Sequence, residues 1–576
     1  MSGGPTDPAA PRRGRILALA GAAALAAAQP PIDAWVAAWV APVPWLLLVR
    51  APGSAATWRM LWLAGFLHWL AVIHWLRLPH PATSIGWVVL SAYLACYVPA
   101  FVWLARRLVH RWRWPLVAAA PAAWMALEQL RGWVLGGFTF AALGHTQWRW
   151  TTLIQLADAG GAVGVSGVVV AGAAAVASLV PGAGRVAPRE AIAAVAAAAA
   201  LVAATLGYGT WRLATAPASA RPPLDVLLVQ GSIDTELKHD PEAAGDVARH
   251  YDDITRAGLE AGGRPPDLVV WPETMWRWGL VEIAAEESLD EEVVARLLGP
   301  QPDGADAAAR ADRQARARAA VAAERLDALA TFARRYGTWW LVGLDRQRIT
   351  PRAAGGAEHF NTALLLDPDG GVVACYDKMY PVMFGEYIPL ADRFPFLYRL
   401  TPLPAGLTAG TTPVAAEVAG YRIAPTICYE TALPDAIRDN VRRLARDGRR
   451  PDVIVNLTND GWFWGSSELD MHLTAAVFRA VEVRTPLVIA ANTGFSAAID
   501  GSGRLLARGP RRDTQALRVA VRPDGRWSPW LAAGTLPTGL CLAVAVAVAV
   551  EAVLREVGRR RMGGAGGSGR ESLERA

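Results

Sequence analysis

The placement of the apolar residues constrains this chain most. Blocks rich in Ala, Leu, Val and Trp fill residues 16 to 211 and return at 531 to 555, while the stretch between has ordinary charge density and short strand-like runs. Hydrophobic residues make up 53% of the 576, too many for a wholly water-soluble enzyme, so part of the chain is expected to lie in lipid.

A helix crossing the hydrocarbon core needs about 20 apolar residues. Windows near 57–78, 84–105, 115–135, 159–181, 190–211 and 531–555 reach that length, and 16–28 with the proline-broken 31–50 reads as two short helices forming a hairpin. Eight spans then divide the chain into an N-terminal membrane domain over 1–211 with about seven helices, a separately folded segment over 222–525, a closing span over 531–555 and a basic tail over 556–576. The first span reads as an anchor, because no compact small-residue cleavage site follows it.

The net charge of +6 would suggest nucleic acid if the arginines were dispersed. Instead Arg12, Arg13 and Arg15 precede the first apolar block, Arg106, Arg107, Arg111 and Arg113 follow the fourth, and Arg559, Arg560 and Arg561 follow the last. Basic clusters flanking apolar spans are topology signals, so no nucleic-acid partner is expected. With a cytoplasmic N-terminus, the inside loops are 51–58, 106–114 and 182–189, of which the last two hold RRLVHRWRW and GRVAPRE while the C-terminal tail holds GRRRM, which puts 212–530 on the far face of the membrane. Many of the 25 tryptophans lie near span ends, as in "HWLAVIHWLRL" (68–78), where interfacial anchoring explains them. Glu128 and Arg131, at i and i+3 within a span, read either as a functional intramembrane pair or as a joint between helices.

Between 222 and 510, β-rich runs alternate with helical stretches. "DVLLVQG" (225–231), "DLVVWPE" (267–273), "WWLVGL" (339–344), "TALLLDPDG" (362–370), "VVACYDK" (372–378), "RIAPTICYE" (422–430), "DVIVNLTND" (452–460) and "PLVIAANTG" (486–494) read as strands. Helices fit 242–263, 306–337, 432–447 and 467–484. Several strands are continuously apolar, as central strands covered on both faces are, and the pattern predicts a layered α/β domain with functional groups gathered at strand ends.

Those ends carry Glu273, Lys378 and Cys428. Alone, a cysteine near a strand end is ordinary packing and a lone Glu or Lys is a solvated charge. Together they have a joint chemistry: a carboxylate takes the thiol proton as sulfur attacks a carbonyl, and an ammonium stabilises the resulting oxyanion. The remaining cysteines are Cys96 and Cys541, within spans, and Cys375. A Cys375–Cys428 disulfide is disfavoured because strand alternation points residues 375 and 378 to opposite faces. No metal-ligand spacing, Walker loop or dinucleotide glycine loop is found, so neither metal nor cofactor is expected.

The motifs "VQGSI" (229–233), "WPET" (271–274), "YDKMYPVMFGEYIP" (376–389), "ICYE" (427–430), "NLTNDGWF" (456–463) and "ANTGFSAAID" (491–500) follow one another in order. With them the chain resembles the nitrilase, or carbon–nitrogen hydrolase, superfamily. Set between membrane spans, it resembles the apolipoprotein N-acyltransferase family over nearly its whole length. The resemblance implies an α-helical polytopic membrane domain plus an α/β nitrilase-like αββα sandwich. It implies Glu273 as general base, Lys378 as oxyanion stabiliser and Cys428 as nucleophile, with Glu386, Tyr429 and Glu430 supporting them. It also implies a ping-pong thioester reaction: a membrane phospholipid gives its acyl chain to Cys428, and the amine of a diacylglyceryl-cysteine apolipoprotein takes it. The implied setting is the inner membrane of a bacterium, with a monomer whose catalytic domain faces the periplasm and whose termini are cytoplasmic. Apolar loop residues, Trp462, Phe463 and Trp464 among them and more in "YPVMFGEYIPLADRFPFLYRL" (380–400), would suit acyl-chain entry. The chain departs from the family in "LKHDP", where His239 stands in place of a tryptophan, and in a long segment over 281–320 that reads as an exposed helix or lid extension. Two other readings are a membrane-tethered nitrilase-type amidase and a transporter or receptor with a ligand-binding α/β domain. Eight spans exceed what tethering needs, and the second would leave the triad unexplained.

Overall fold

The computed structural model describes residues 10–51, 54–181, 186–217, 221–234, 240, 242–301, 306–350, 356–391, 393–400 and 406–567. His239 and part of the 281–320 segment lie outside them. The chain forms two compact units, one of Met1–His74, Ile85–Trp211 and Ala533–Ala576, the other of Trp75–Ser84 and Arg212–Ala532.

The first unit is helical. Ala10–Ala28 is one helix, and the proline-broken stretch after it yields a 3-10 turn, Trp35–Trp39, and a short helix, Val43–Arg50. Then come Ala55–Val72, the consecutive Thr83–Ala95 and Tyr97–His110, Leu116–Arg131, Ala157–Leu179, Pro188–Ala214 and Leu536–Gly567. Among the described residues, four helical stretches are long and apolar enough to cross a membrane: Thr83–His110, Ala157–Leu179, Pro188–Ala214 and Leu536–Arg560. Small residues let helices approach closely, as lipid-embedded packing requires. At Gly21 a Cβ would sit 2.5 Å from the Trp45 indole nitrogen, which instead donates to the Ala18 carbonyl at 3.0 Å. Some arginines of the basic clusters also have structural work. Arg106 donates to the carbonyls of Leu48, Val49 and Ala51, closing the C-terminus of Val43–Arg50, and Arg111 pairs with Glu551 at 3.1 Å. Glu128 accepts the Leu143 N–H at 2.8 Å and Arg131 lies 5.1 Å over the Trp69 ring, so both serve to join segments of the helical unit.

The second unit is the αββα sandwich. Its described strands are β1 (Leu224–Gln230), β2 (Leu268–Val270), β3 (Trp276–Ile283), β4 (Trp339–Ile349), β5 (Ala357–Leu366), β6 (Val372–Asp377), β7 (Ala416–Val418), β8 (Tyr421–Ile427), β9 (Val453–Thr458), β10 (Leu487–Ala491), β11 (Ala497–Ile499), β12 (Leu505–Arg508) and β13 (Gln515–Val521). One sheet runs β13-β1-β2-β4-β5-β6 with β3 also on β4; the other runs β12-β11-β10-β9-β8-β7. In each, three central strands are parallel (β1, β2, β4 and β8, β9, β10) and the strands at either end of the path pair antiparallel, while β3 runs parallel to β4. Strand β1 is buried throughout because its alternate residues serve two cores. Val226 and Leu228 meet Ile423, Val455 and Val488 between the sheets, while Leu227 and Val229 meet Tyr251, Trp271 and Trp340 on the outer face. Helices Ala244–Ala261 and Ala307–Tyr336 cover the first sheet; Pro434–Arg446 and Glu468–Val483 cover the second. The start of the 281–320 segment completes β3, and the rest supplies helix Glu291–Leu298 and the beginning of Ala307–Tyr336.

Candidate active site

Glu273 follows β2 rather than ending it, on a turn pressed flat against β4. A Cβ at Gly343 would lie 2.3 Å from the Pro272 carbonyl and 2.7 Å from the Glu273 Cα, so only a glycine there lets the turn approach. Both Glu273 oxygens are then fixed: Asn361 Nδ2 donates to Oε1 at 2.6 Å and the Asn459 N–H to Oε2 at 2.9 Å.

Lys378 leaves the end of β6, its own N–H bonded to the Asn361 carbonyl at 2.8 Å. It is 1% exposed, and its ammonium lies 2.7 Å from Glu386 Oε1 and 3.4 Å from Glu273 Oε1. Burial opposes this charge, yet Glu386 and then Glu273 hold the ammonium well above its ordinary range. Glu386 is itself held by the Val382 N–H at 2.7 Å.

Cys428 opens the 3-10 turn Cys428–Ala432 directly after β8, at a φ of 50°, a left-handed conformation that non-glycine residues adopt at a cost. Burial, then the nearby Glu273 charge, push its thiol well above the ordinary cysteine range against the pull of Lys378. The charge count adds to the effect of burial. Lys378 is already matched by two carboxylates, and a thiolate would add a third negative charge. At rest Cys428 is therefore a thiol.

Glu430 binds the two halves of the site together. Its carboxylate accepts the N–H of Ile427 (2.7 Å), Met379 (2.7 Å) and Tyr380 (3.1 Å) and the Tyr376 hydroxyl (2.8 Å). It thus ties the segment after Lys378 to the cysteine turn. Burial raises its pKa, opposed first by the Ile427 N–H. Cys375 is a free cysteine that packs in the outer core, whereas Tyr376 and Cys428 pack between the sheets; strand alternation separates the two sulfurs as expected. Asn361, Asp460 and His472 escaped the sequence reading. Asn361 sits mid-strand, and Asp460 meets His472 (3.2 Å) through docking of a loop on helix Glu468–Val483.

The apolar loop residues divide. Phe463 packs edge-on against Trp75, ring centroids 5.1 Å apart, and Trp462 is half-buried. Trp464 is half exposed, and Phe384 and Leu390 are 67% and 69% exposed.

The N-terminal model of apolipoprotein N-acyltransferase matches residues 21–175 and the carbon-nitrogen hydrolase model matches residues 228–526. The apolipoprotein N-acyltransferase of Geobacter metallireducens is 30% identical over 96% of this chain and 98% of its own. The chain belongs to the apolipoprotein N-acyltransferase family. The Azotobacter vinelandii member is 32% identical over 90% of this chain and 93% of its own. Among solved structures, the NitN amidase from Neterenkonia sp. AN1 aligns with 54% of this chain and 95% of its own at 18% identity and a TM-score of 0.33. The protein is an acyltransferase in which a helical membrane unit accompanies a carbon–nitrogen hydrolase domain.

Proposed function

We propose that this protein moves an acyl chain from a membrane phospholipid to the free N-terminal amine of a diacylglyceryl-cysteine apolipoprotein, through a thioester on Cys428. The observation that carries the reading is the buried Lys378 held between Glu273 and Glu386 beside a strained cysteine turn. Glu273 Oε accepts the thiol proton as sulfur bonds to the ester carbonyl carbon. The oxyanion that forms is met by the Lys378 ammonium and by the main-chain N–H of Tyr429. Collapse breaks the ester C–O bond, and the proton on Glu273 passes to the departing lysophospholipid oxygen. The amine then attacks the thioester, Glu273 takes its proton, and the sulfur leaves and regains a proton as the amide forms. The strong conjugate pairing of Lys378 keeps it charged throughout, so it stabilises charge rather than donating a proton.

Basic residues on the flanks of the apolar helices support a bacterial inner-membrane protein with both termini cytoplasmic and the hydrolase-like domain in the periplasm, where its lipid-linked substrates lie. The test is the intact mass of detergent-purified protein after incubation with phospholipid alone. Wild type should gain one acyl chain, released by hydroxylamine, and Cys428→Ala should gain none. Absence of the adduct in folded wild type overturns the reading.

A further inference from the structure

The carbonyl of Cys428 is the focus of a second cluster. Thr431 Oγ1 (3.1 Å), Asn456 Nδ2 (3.3 Å) and His472 Nε2 (3.2 Å) converge on it. His472 Nε2 also lies 2.7 Å from Thr431 Oγ1, and its Nδ1 lies 3.2 Å from Asp460 Oδ1, an oxygen that accepts the Thr458 hydroxyl at 2.8 Å. A carbonyl and a carboxylate can only accept. Asp460 and Glu468 outweigh the burial of the ring and raise its pKa to about 9, so both ring nitrogens carry hydrogens, Nδ1–H donating to Asp460 and Nε2–H to Thr431 and the Cys428 carbonyl. Glu468, four residues earlier on the same helix, brings the Asp460, Glu468 and His472 ligand atoms within 4.8 Å of one another. With both nitrogens engaged, Asp460 and His472 form a hydrogen-bonded chain leading to the cysteine turn, with the Glu468 carboxylate beside it.

The direction of that chain has a chemical meaning. A trans peptide is planar, so the Cys428 carbonyl and the Tyr429 N–H point in opposite directions. Holding the carbonyl fixes the N–H, and drawing on the carbonyl's electrons strengthens that N–H as a donor. The strained φ of Cys428 persists only where the surroundings over-determine it, and three donors on one carbonyl do so.

We propose that His472, clamped by Asp460, is a positioning residue of the oxyanion site: its Nε2–H holds the Cys428 carbonyl and Thr431 so that the Tyr429 N–H stays aimed at the developing oxyanion. This rests on Cys428 being the nucleophile, as proposed above.

The test compares two reactions of one thiol in the full-length, detergent-purified protein. Acylation by phospholipid builds an oxyanion; alkylation by iodoacetamide, read at Cys428 by peptide mass, removes the same proton without one. Removing an oxyanion donor outright costs on the order of 10²–10³ in rate, and loosening one should cost less. His472→Ala is expected to slow single-turnover acylation about 10- to 100-fold, with KM for phospholipid and the alkylation rate each within about threefold of wild type. His472→Gln, which keeps an N–H near the Nε2 position, should recover acylation to within about tenfold of wild type. Should the alanine variant fail to fold, His472→Asn replaces it, since its amide reaches the Nδ1 position and leaves the Nε2 donor missing. Equal loss in both reactions, undiminished acylation, or a glutamine variant as slow as the alanine or asparagine one would overturn the proposal. Cys428→Ala serves as the separate control: acyl transfer retained there refutes the nucleophile assignment, whatever His472 does.

Discussion

Glu430 offers the sharpest quantitative test of how the site is held. Glu430→Gln keeps the shape of the side chain and exchanges one acceptor oxygen for a donor. If the nitrogen takes the Oε2 position, the Ile427 N–H loses its partner; if it takes the Oε1 position, the Met379 and Tyr380 N–H groups do. Each orientation therefore leaves at least one buried donor facing another donor, which costs about 1–3 kcal/mol. Relief from burying a charge works the other way, since burial raises the Glu430 pKa, so the net loss should fall near the lower end, about 1–2 kcal/mol. Glu430→Ala strands the donors from all three segments and should cost more, about 3–5 kcal/mol. The assay is the thermal midpoint of the detergent-solubilised protein, followed by tryptophan fluorescence, alongside turnover. Because Glu430 ties the Lys378 segment to the cysteine turn, kcat should fall about tenfold in the glutamine variant with KM little changed. A glutamine variant with the midpoint and kcat of wild type, or an alanine variant no worse than glutamine, would refute the accounting.

Three further outcomes follow from the geometry. Lys378→Met should remove acyl transfer and cost about 3–5 kcal/mol, because it leaves the Glu273 and Glu386 charges without their ammonium; a stable, active variant would show that the charge is dispensable. Trp464→Ser should leave stability within about 1 kcal/mol, the Trp being half exposed under Arg512, yet lower transfer from long-chain lipid several-fold while sparing a short-chain soluble ester; Phe463→Ser, which undoes packing on Trp75, should lower the thermal midpoint instead. Burial works against the His472 imidazolium, but Asp460 and then Glu468 raise its pKa to about 9. Its stabilisation should be complete below the unfolded value near pH 6.5 and vanish as pH rises through about 9, so the stability gap between wild type and His472→Gln should shrink across that window; a gap independent of pH refutes the charged state.

The sequence exposed the sandwich because its central strands are apolar on both faces and helical stretches separate them: the expected 306–337 and 467–484 helices form as Ala307–Tyr336 and Glu468–Val483. It hid β3, where only Trp276 and Leu280 are buried, with no period of two, and which bends at Gly279 with a φ of 62°; there an ion pair between Glu282 and Arg346 at 2.6 Å stands where an apolar contact would have given the strand away. Strands β11 and β12 are too short to show a period. In the site, Glu273, Lys378 and Cys428 were legible because each closes or follows a strand-like run. Asn361, Asp460 and His472 were not, since their meeting depends on sheet register and on one helix docking against a loop, neither of which leaves a local spacing.

Glu273 and Lys378 belong to one sheet, while Cys428, Asn459 and His472 belong to the other. A chain that has folded only one of them holds a base without a thiol or a thiol without a base. Chemical competence thus arrives together with the closing of the sandwich, as a safety catch releases. On the proposed mechanism a half-made protein carries no armed nucleophile, and any slip between the sheets during heating should silence transfer before the molecule as a whole comes apart.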